Sequence, residues 1–211
     1  MKPSDIDDVR AMYEATADSY AQMMDEEIRL PVYVDVLERL RRRIEGAPGP
    51  LVDTACGSGH MLQMYHDRFD ADRPLLGVDL SPRMVQIASE RLGPAGRVEV
   101  GDMCVLSQVE SGTAAALMNF FAVQHLDPNG VRAALNEWRR VLRPGGRLLI
   151  AAWEGSGAID YGEEADLVAL RYTGSELEAW AGEAGFEVER CRVEPVEEFP
   201  MDAVYLEGAK Q

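Results

Sequence analysis

Three aspartates close three short apolar stretches: Leu51-Val52-Asp53, Leu75-Leu76-Gly77-Val78-Asp79 and Val98-Glu99-Val100-Gly101-Asp102. A carboxylate at the end of a strand can accept two hydroxyl hydrogen bonds from a ribose, which makes Asp79 a candidate nucleoside ligand. N-capping of the following helix is the other use for it, although Ser81 fills that role better. The first stretch runs on into Thr54-Ala55-Cys56-Gly57-Ser58-Gly59-His60, a turn of small residues ahead of a helix. Gly57 and Gly59 remove side chains where the main chain bends, and the helix start offers free N–H groups, so a ligand can approach the backbone. One such turn is a common way to leave a strand; three strand-end aspartates in succession give it weight. A fourth apolar stretch, Leu117 to Leu126, ends near His125. This histidine is the candidate general base, since imidazole titrates near neutral pH, with loop packing as the alternative.

Several chemistries are disfavoured. A dinucleotide fingerprint needs a third glycine where this chain has Leu62, and no lysine followed by Ser or Thr closes a phosphate loop. Cys56, Cys104 and Cys191 lie far apart without a paired spacing, so neither a disulfide framework nor a metal site is expected.

The aspartates need a scaffold that brings strand ends to one edge, and the hydrophobic pattern supplies it. Ile6, Val9, Tyr13, Ala17 and Tyr20 recur at helical spacing over Ser4 to Met24, and Pro31 opens a second helix to about Ile44. The arginine run Arg41 to Arg43 near its end complements the helix dipole. After Gly46-Ala47-Pro48-Gly49-Pro50 the texture changes to strands alternating with helices: Leu51–Thr54, Gly59–Phe69, Leu75–Asp79, Pro82–Leu92, Val98–Gly101, Ala114–Asn119 and Pro128–Leu142. The turn Arg143-Pro144-Gly145-Gly146 then leads into a strand over Arg147–Trp153. That rhythm predicts an α/β fold with a parallel sheet covered by helices. Thr173-Gly174-Ser175-Glu176 reads as a capping box for a helix ending at Gly185, and two closing strands, Phe186–Val193 and Ala203–Glu207, are expected to be antiparallel neighbours through Pro195 and Pro200.

The chain has 211 residues, 46% hydrophobic and 27% charged, which suits one domain, with 1–46 as a helical cap and 50–211 as the core. A net charge of -16 repels polyanions, so nucleic acid is not an expected partner. No apolar run reaches the roughly 20 residues of a membrane span, and the start has no signal-like segment, so a cytoplasmic monomer or homodimer is expected. Asp160, Glu163, Glu164 and Asp166 are expected to be solvated rather than to border a site.

These motifs together resemble the class I S-adenosylmethionine-dependent methyltransferases, in the group of small bacterial enzymes acting on small molecules. The resemblance rests on Asp53 to Gly59, on Gly77-Val-Asp-Leu-Ser-Pro-Arg-Met84, on Gly101-Asp-Met103 and on Trp138-Arg-Arg-Val-Leu-Arg-Pro-Gly-Gly-Arg147. The first small position of the loop, glycine in the family, is Ala55 here. The resemblance implies a Rossmann-like, doubly wound sheet of seven strands, mostly parallel with an antiparallel C-terminal strand, helices on both faces and an N-terminal helical lid. By it, Ala55, Gly57 and Gly59 pass beneath the methionine half of the cofactor, Asp53 orients the loop and faces the amino group, and Asp79 holds the ribose. Leu80 and Met84 pack the adenine, and Asp102 with Met103 completes its edge; core filling is the other use of Met84 and Met103. Asn119 and Phe120 lie on the cofactor side, and Tyr20 on the lid faces the sulfonium, near Tyr13, Met23 and Met24. No Asn-Pro-Pro-Tyr motif follows the fourth strand, which bears against an exocyclic amine acceptor. The implied reaction is methyl transfer to a small molecule, with an oxygen nucleophile first, leaving S-adenosylhomocysteine. The competing readings are a methyltransferase-like domain that binds a nucleoside without turnover, and a dinucleotide-dependent oxidoreductase.

Overall fold

The computed structural model describes residues 2–159, 167–196 and 201–211. Asp160, Glu163, Glu164, Asp166 and Pro200 lie outside them. Thirteen principal elements run in order: α1 (Ile6–Glu27), α2 (Pro31–Arg43), β1 (Leu51–Asp53), α3 (His60–Arg68), β2 (Leu75–Asp79), α4 (Pro82–Leu92), β3 (Gly96–Val100), β4 (Ala114–Phe120), α5 (Pro128–Val141), β5 (Leu142–Trp153), α6 (Gly174–Glu183), β6 (Phe186–Pro195) and β7 (Asp202–Lys210).

Local chemistry sets most helix starts. The side chains of Asp5, Ser81 and Asp127 accept from the backbone N–H of Asp7, Met84 and Gly130, and Thr173 with Glu176 forms the expected capping box. One expectation is corrected: Arg143-Pro144-Gly145-Gly146 is not a turn ahead of the strand but lies inside β5. There Gly145 takes φ 70°, and the pairing with β4 jumps from Ala114–Leu142 to Ala116–Arg147. The extra residues form a bulge, which a Pro-Gly-Gly sequence tolerates.

The strands form one seven-stranded sheet in the order β3-β2-β1-β4-β5-β7-β6, with β7 antiparallel to both its neighbours and the pairs from β3 through β5 parallel. The order in which successive strands are added switches sides between β1 and β4, which opens a crevice at the C-terminal edge where Asp53 and Asp79 sit. Period-two alternation sorts the core: Val52, Leu148 and Ile150 face α5 and α6, while Leu51, Leu149 and Ala151 face α2, α3 and α4. Parallel strands covered on both faces explain why these stretches read as continuous apolar runs. The Gly46–Pro50 break is held from beneath by the buried Arg73, whose guanidinium donates to the carbonyls of Ile44, Ala47 and Gly49.

Trp138 on α5 is fully buried, and its indole Nε1 donates to the Met103 carbonyl at 2.9 Å, anchoring the loop after β3 from below. Trp138→Phe keeps most of the apolar contact and strands that carbonyl. The expected loss is about 1–3 kcal/mol in urea unfolding, beyond the ~0.5 kcal/mol of a surface substitution.

Candidate functional site

Asp53 ends β1, and the chain turns away through Thr54, whose N–H donates to the Met118 carbonyl at 3.1 Å on β4. Cys56 N–H returns to β2 at the Val78 carbonyl, 3.0 Å away. The next donor, Gly57 N–H, reaches Asp79 Oδ2 at 2.8 Å, while Ser81 N–H reaches Oδ1 at 3.0 Å. One carboxylate therefore fastens the loop after β1 to the loop after β2. Gly57 stands at φ 49°, and a Cβ there would lie 3.2 Å from the Tyr20 ring. Gly77 lets this loop approach, since a Cβ on it would come within 2.8 Å of Cys56 Sγ.

Two adjoining hollows open along this edge and share Tyr13, Tyr20, Ala55, Phe120 and Phe121. The first is bounded by Gly57, Asp79, Leu80, Met84, Met103 and His125 among others. Asp53, Met23, Met24 and Gln124 border the second. Ten of the residues singled out from sequence thus meet at one cavity: Tyr20, Asp53, Ala55, Gly57, Asp79, Leu80, Met84, Met103, Phe120 and His125. Three do not line it. Gly59, at φ 82°, starts α3 and packs against α4, where a Cβ would lie 3.0 Å from the Ala88 Cβ. Asp102 turns its Oδ1 to the Cys104 N–H at 2.8 Å, closing its own loop. Asn119 is fully buried behind the wall, where its Nδ2 donates to Thr54 Oγ1 at 3.0 Å and to Met103 Sδ at 3.4 Å. It can act on the cavity only through those two residues.

Other contributors escaped the sequence reading. Phe121 adopts φ 49°, rare for a bulky residue, with its ring centroid 4.7 Å from that of Trp153. Only the packing of β4 against β5 reveals that arrangement. Thr54 was within the motif but carried no distinctive spacing, and Gln124 stood beside His125 without a signal of its own.

Helix α1 covers the cavity and is tied down at both ends of it. Glu14 Oε2 accepts from Ser81 Oγ at 2.6 Å and from Arg83 N–H at 3.0 Å, and Asp18 pairs with the Arg83 guanidinium at 2.6 Å. Asp25 Oδ1 lies 2.8 Å from His60 Nε2 and 3.2 Å from Arg91 Nη2, and His60 Nδ1 lies 2.8 Å from Ser58 Oγ. These bonds hold the Glu14, Asp18 and Asp25 carboxyls below their usual range.

The cavity's own acids are pushed the other way. Burial raises Asp53 to about 7, against the lowering effect of the Ala55 N–H and with help from the Asp79 charge. Its Oδ1 has no hydrogen-bond partner among the described residues, so a buried carboxylate oxygen stands ready for an incoming cation. Burial also raises Asp79, held in check by the N–H groups of Ser81, Gly57 and Leu80. His125 is lowered to about 4 by burial, with its Nε2 3.0 Å from the Tyr13 hydroxyl. No cluster of three or more metal-ligating side chains occurs among the described residues, and no helix there is long and apolar enough to cross a membrane. The arrangement can bind hydroxyls at Asp79, a cation at Asp53 and a flat ring beside Leu80, Met84 and Met103.

Residues 51–146 match the protein family described as methyltransferase domain. The chain is 35% identical over 106 residues to a malonyl-[acyl-carrier protein] O-methyltransferase of Hahella chejuensis, covering 50% of this chain and 37% of that protein. It is 30% identical over 163 residues to an O-methyltransferase of Penicillium expansum, covering 68% of this chain and 57% of that one. It therefore spans less than two thirds of each relative's length. Among solved structures, the Burkholderia thailandensis 1,6-didemethyltoxoflavin-N1-methyltransferase, with 1,6-didemethyltoxoflavin and S-adenosylhomocysteine bound, superposes with a TM-score of 0.75 at 17% identity, covering 96% of this chain and 87% of that one. A Methanosarcina mazei S-adenosylmethionine-dependent methyltransferase gives a TM-score of 0.66 at 16% identity, covering 77% and 92%. At these identities the likeness shows a shared fold.

Because Asp53 is raised to about 7, the folded chain keeps a proton that the unfolded chain loses above about pH 4, so stability falls as pH rises through that window. Asp53→Asn should therefore unfold later than the parent at pH 8, by on the order of 2–4 kcal/mol, with the gap closing toward pH 4 in urea titrations. NMR titration of the His125 ring should find it neutral from pH 8 down to about 5 and protonating only near 4.

Proposed function

We propose that this chain, whose residues 51–146 match a methyltransferase domain, is a class I, S-adenosylmethionine-dependent enzyme that transfers a methyl group to the oxygen of a small molecule. The observation that carries the cofactor half is that Asp79 lines the first hollow and Asp53 the second, the two adjoining along one sheet edge. A buried carboxylate oxygen without a partner suits an ammonium, and a second carboxylate, already oriented by two N–H groups, suits a pair of ribose hydroxyls. S-adenosylmethionine presents both groups and, when bound, supplies a methyl already activated on a sulfonium. Ala55 and Gly57 would leave room for its methionine half, Leu80, Met84 and Met103 would flank the adenine, and the face of Tyr20 would favour the positive charge.

With an activated donor, the chain's task is alignment and exclusion of water. Tyr13 and Tyr20 of helix α1, with Phe120 and Phe121, line both hollows. An oxygen acceptor must lose a proton. His125 is uncharged at neutral pH and its Nε2 lies 3.0 Å from the hydroxyl of Tyr13, which lines both hollows, so the pair can hydrogen-bond an acceptor hydroxyl while its proton leaves to solvent as the methyl arrives; lowered to about 4, the imidazole does not itself hold that proton at neutral pH. The O-methyltransferases among the relatives support oxygen as the atom, and the -16 charge supports a small molecule over nucleic acid. Three unpaired cysteines fit a cytoplasmic setting.

Calorimetry with S-adenosylmethionine and S-adenosylhomocysteine tests the reading. Micromolar binding is expected, weakened by about 1.5–3 kcal/mol, or roughly 10- to 150-fold, in Asp79→Ala, with a melting scan confirming that the variant folds. S-adenosylhomocysteine release with any hydroxyl acceptor would establish turnover. Binding without turnover would favour the nucleoside-binding domain, and absence of binding would end the methyltransferase reading.

A further inference from the structure

We infer that the second hollow takes an uncharged, flat, largely apolar acceptor, oriented by the side-chain amide of Gln124; this rests on the methyl-transfer reading of the adjoining hollow. The hollow measures about 240 Å³. Met23, Met24, Tyr33, Phe121 and Trp153 give its wall apolar surface, and the tilted Phe121–Trp153 pair, centroids 4.7 Å apart, adds aromatic area. Gln124 is only 4% exposed, lines the same space, and its Oε1 has no hydrogen-bond partner among the described residues. Its backbone is committed elsewhere, because its carbonyl accepts from Leu170 N–H at 2.8 Å. A buried amide oxygen without a partner is costly to the chain, and the amide of a residue that lines the hollow can serve a hydroxyl, an N–H or a carbonyl once a ligand draws it round.

The charges around the hollow decide the rest. Among its described lining residues there is no lysine or arginine, and the nearby Arg91 is spent on Asp25, Gln63 and the Ser58 carbonyl. The lining histidine, His60, is held toward its neutral form by burial. Glu27 and Asp53 are the acids present, and Glu27 Oε1 already accepts from the Tyr33 hydroxyl at 2.9 Å. With Asp53 given to the cofactor's ammonium, a carboxylate or phosphate placed there would still meet Glu27 and no counter-cation. A cationic acceptor would stand against the positive end of a bound sulfonium donor. An uncharged ring with one polar substituent escapes both penalties.

Three shape-matched probes separate the classes: naphthol, naphthoate and naphthylmethylammonium, each titrated by calorimetry into the protein alone and into the protein saturated with S-adenosylhomocysteine. Naphthol is expected to bind at least about tenfold tighter than either charged probe. Gln124→Leu, similar in volume, should weaken naphthol about five- to tenfold while leaving S-adenosylhomocysteine affinity unchanged and not lowering the melting temperature, since it removes a buried amide oxygen without a partner. Gln124→Glu should shift preference toward naphthylmethylammonium, a change that a purely structural role would not produce. Naphthoate or naphthylmethylammonium binding as tightly as naphthol would overturn the inference, as would Gln124→Leu without effect on naphthol, or no binding by any probe. Failure of S-adenosylhomocysteine to bind would instead sink the methyl-transfer reading, and the titrations into the protein alone keep the two failures apart.

Discussion

The carboxylate of Asp79 is the fastening on which the working edge of this molecule depends. It lies at the end of β2, accepts from Gly57 on one loop and from Ser81 on another, and so fixes the spacing between the first two crossovers. Ser81 in turn caps α4 and donates to Glu14 of α1, so the chain of contacts continues from sheet to lid. A charged acceptor makes these backbone bonds stronger than neutral ones, and burial shields them from competing water. The same orientation leaves the carboxylate's remaining lone pairs facing the hollow, ready for hydroxyl donors.

Around that fastening the structure tolerates features that do not favour the fold. Asp53 is buried with an oxygen unmatched, Gln124 has an amide end without a partner, and Phe121 occupies a backbone region that bulky side chains avoid. Each lies at the cavity wall, and each is disfavoured by burial or sterics in the chain alone. Other buried polar atoms without partners among the described residues, such as Tyr65 Oη and Gln108 Nε2, lie away from the hollows; those that border a hollow are the ones a ligand can satisfy.

The lid is held by exposed and half-exposed contacts, from Glu14, Asp18 and Asp25, rather than by a large apolar seam. Of α1, only Val9, Ala17 and Met24 are buried. Such contacts are individually weak and screened by salt, which suits a helix that must admit ligands. The core beneath is built on the opposite principle, with Trp138, Leu135, Leu62 and Tyr65 fully enclosed between sheet and helices. A rigid sheet thus carries a loosely latched cover, and the cavity lies at their junction.

The amino-acid sequence by itself determined the alternation of strands and helices, the caps at Ser81 and Thr173, and the placing of Asp53 and Asp79 at strand ends. These are consequences of local spacing and local hydrogen bonding, and neighbours in the chain suffice to specify them. The tertiary structure alone decided which of the flagged side chains reach the cavity. Asp102 is consumed by its own loop, Asn119 is turned to Thr54 and Met103, and Gly59 serves the contact between α3 and α4. It also decided that Tyr13 meets His125, that Phe121 stacks with Trp153, and that the Pro144-Gly145-Gly146 segment becomes a bulge inside β5. Asp102 apart, whose partner Cys104 stands two residues on, the partner is remote in sequence or sits on another strand, so the outcome rests on packing between elements, which no local pattern encodes.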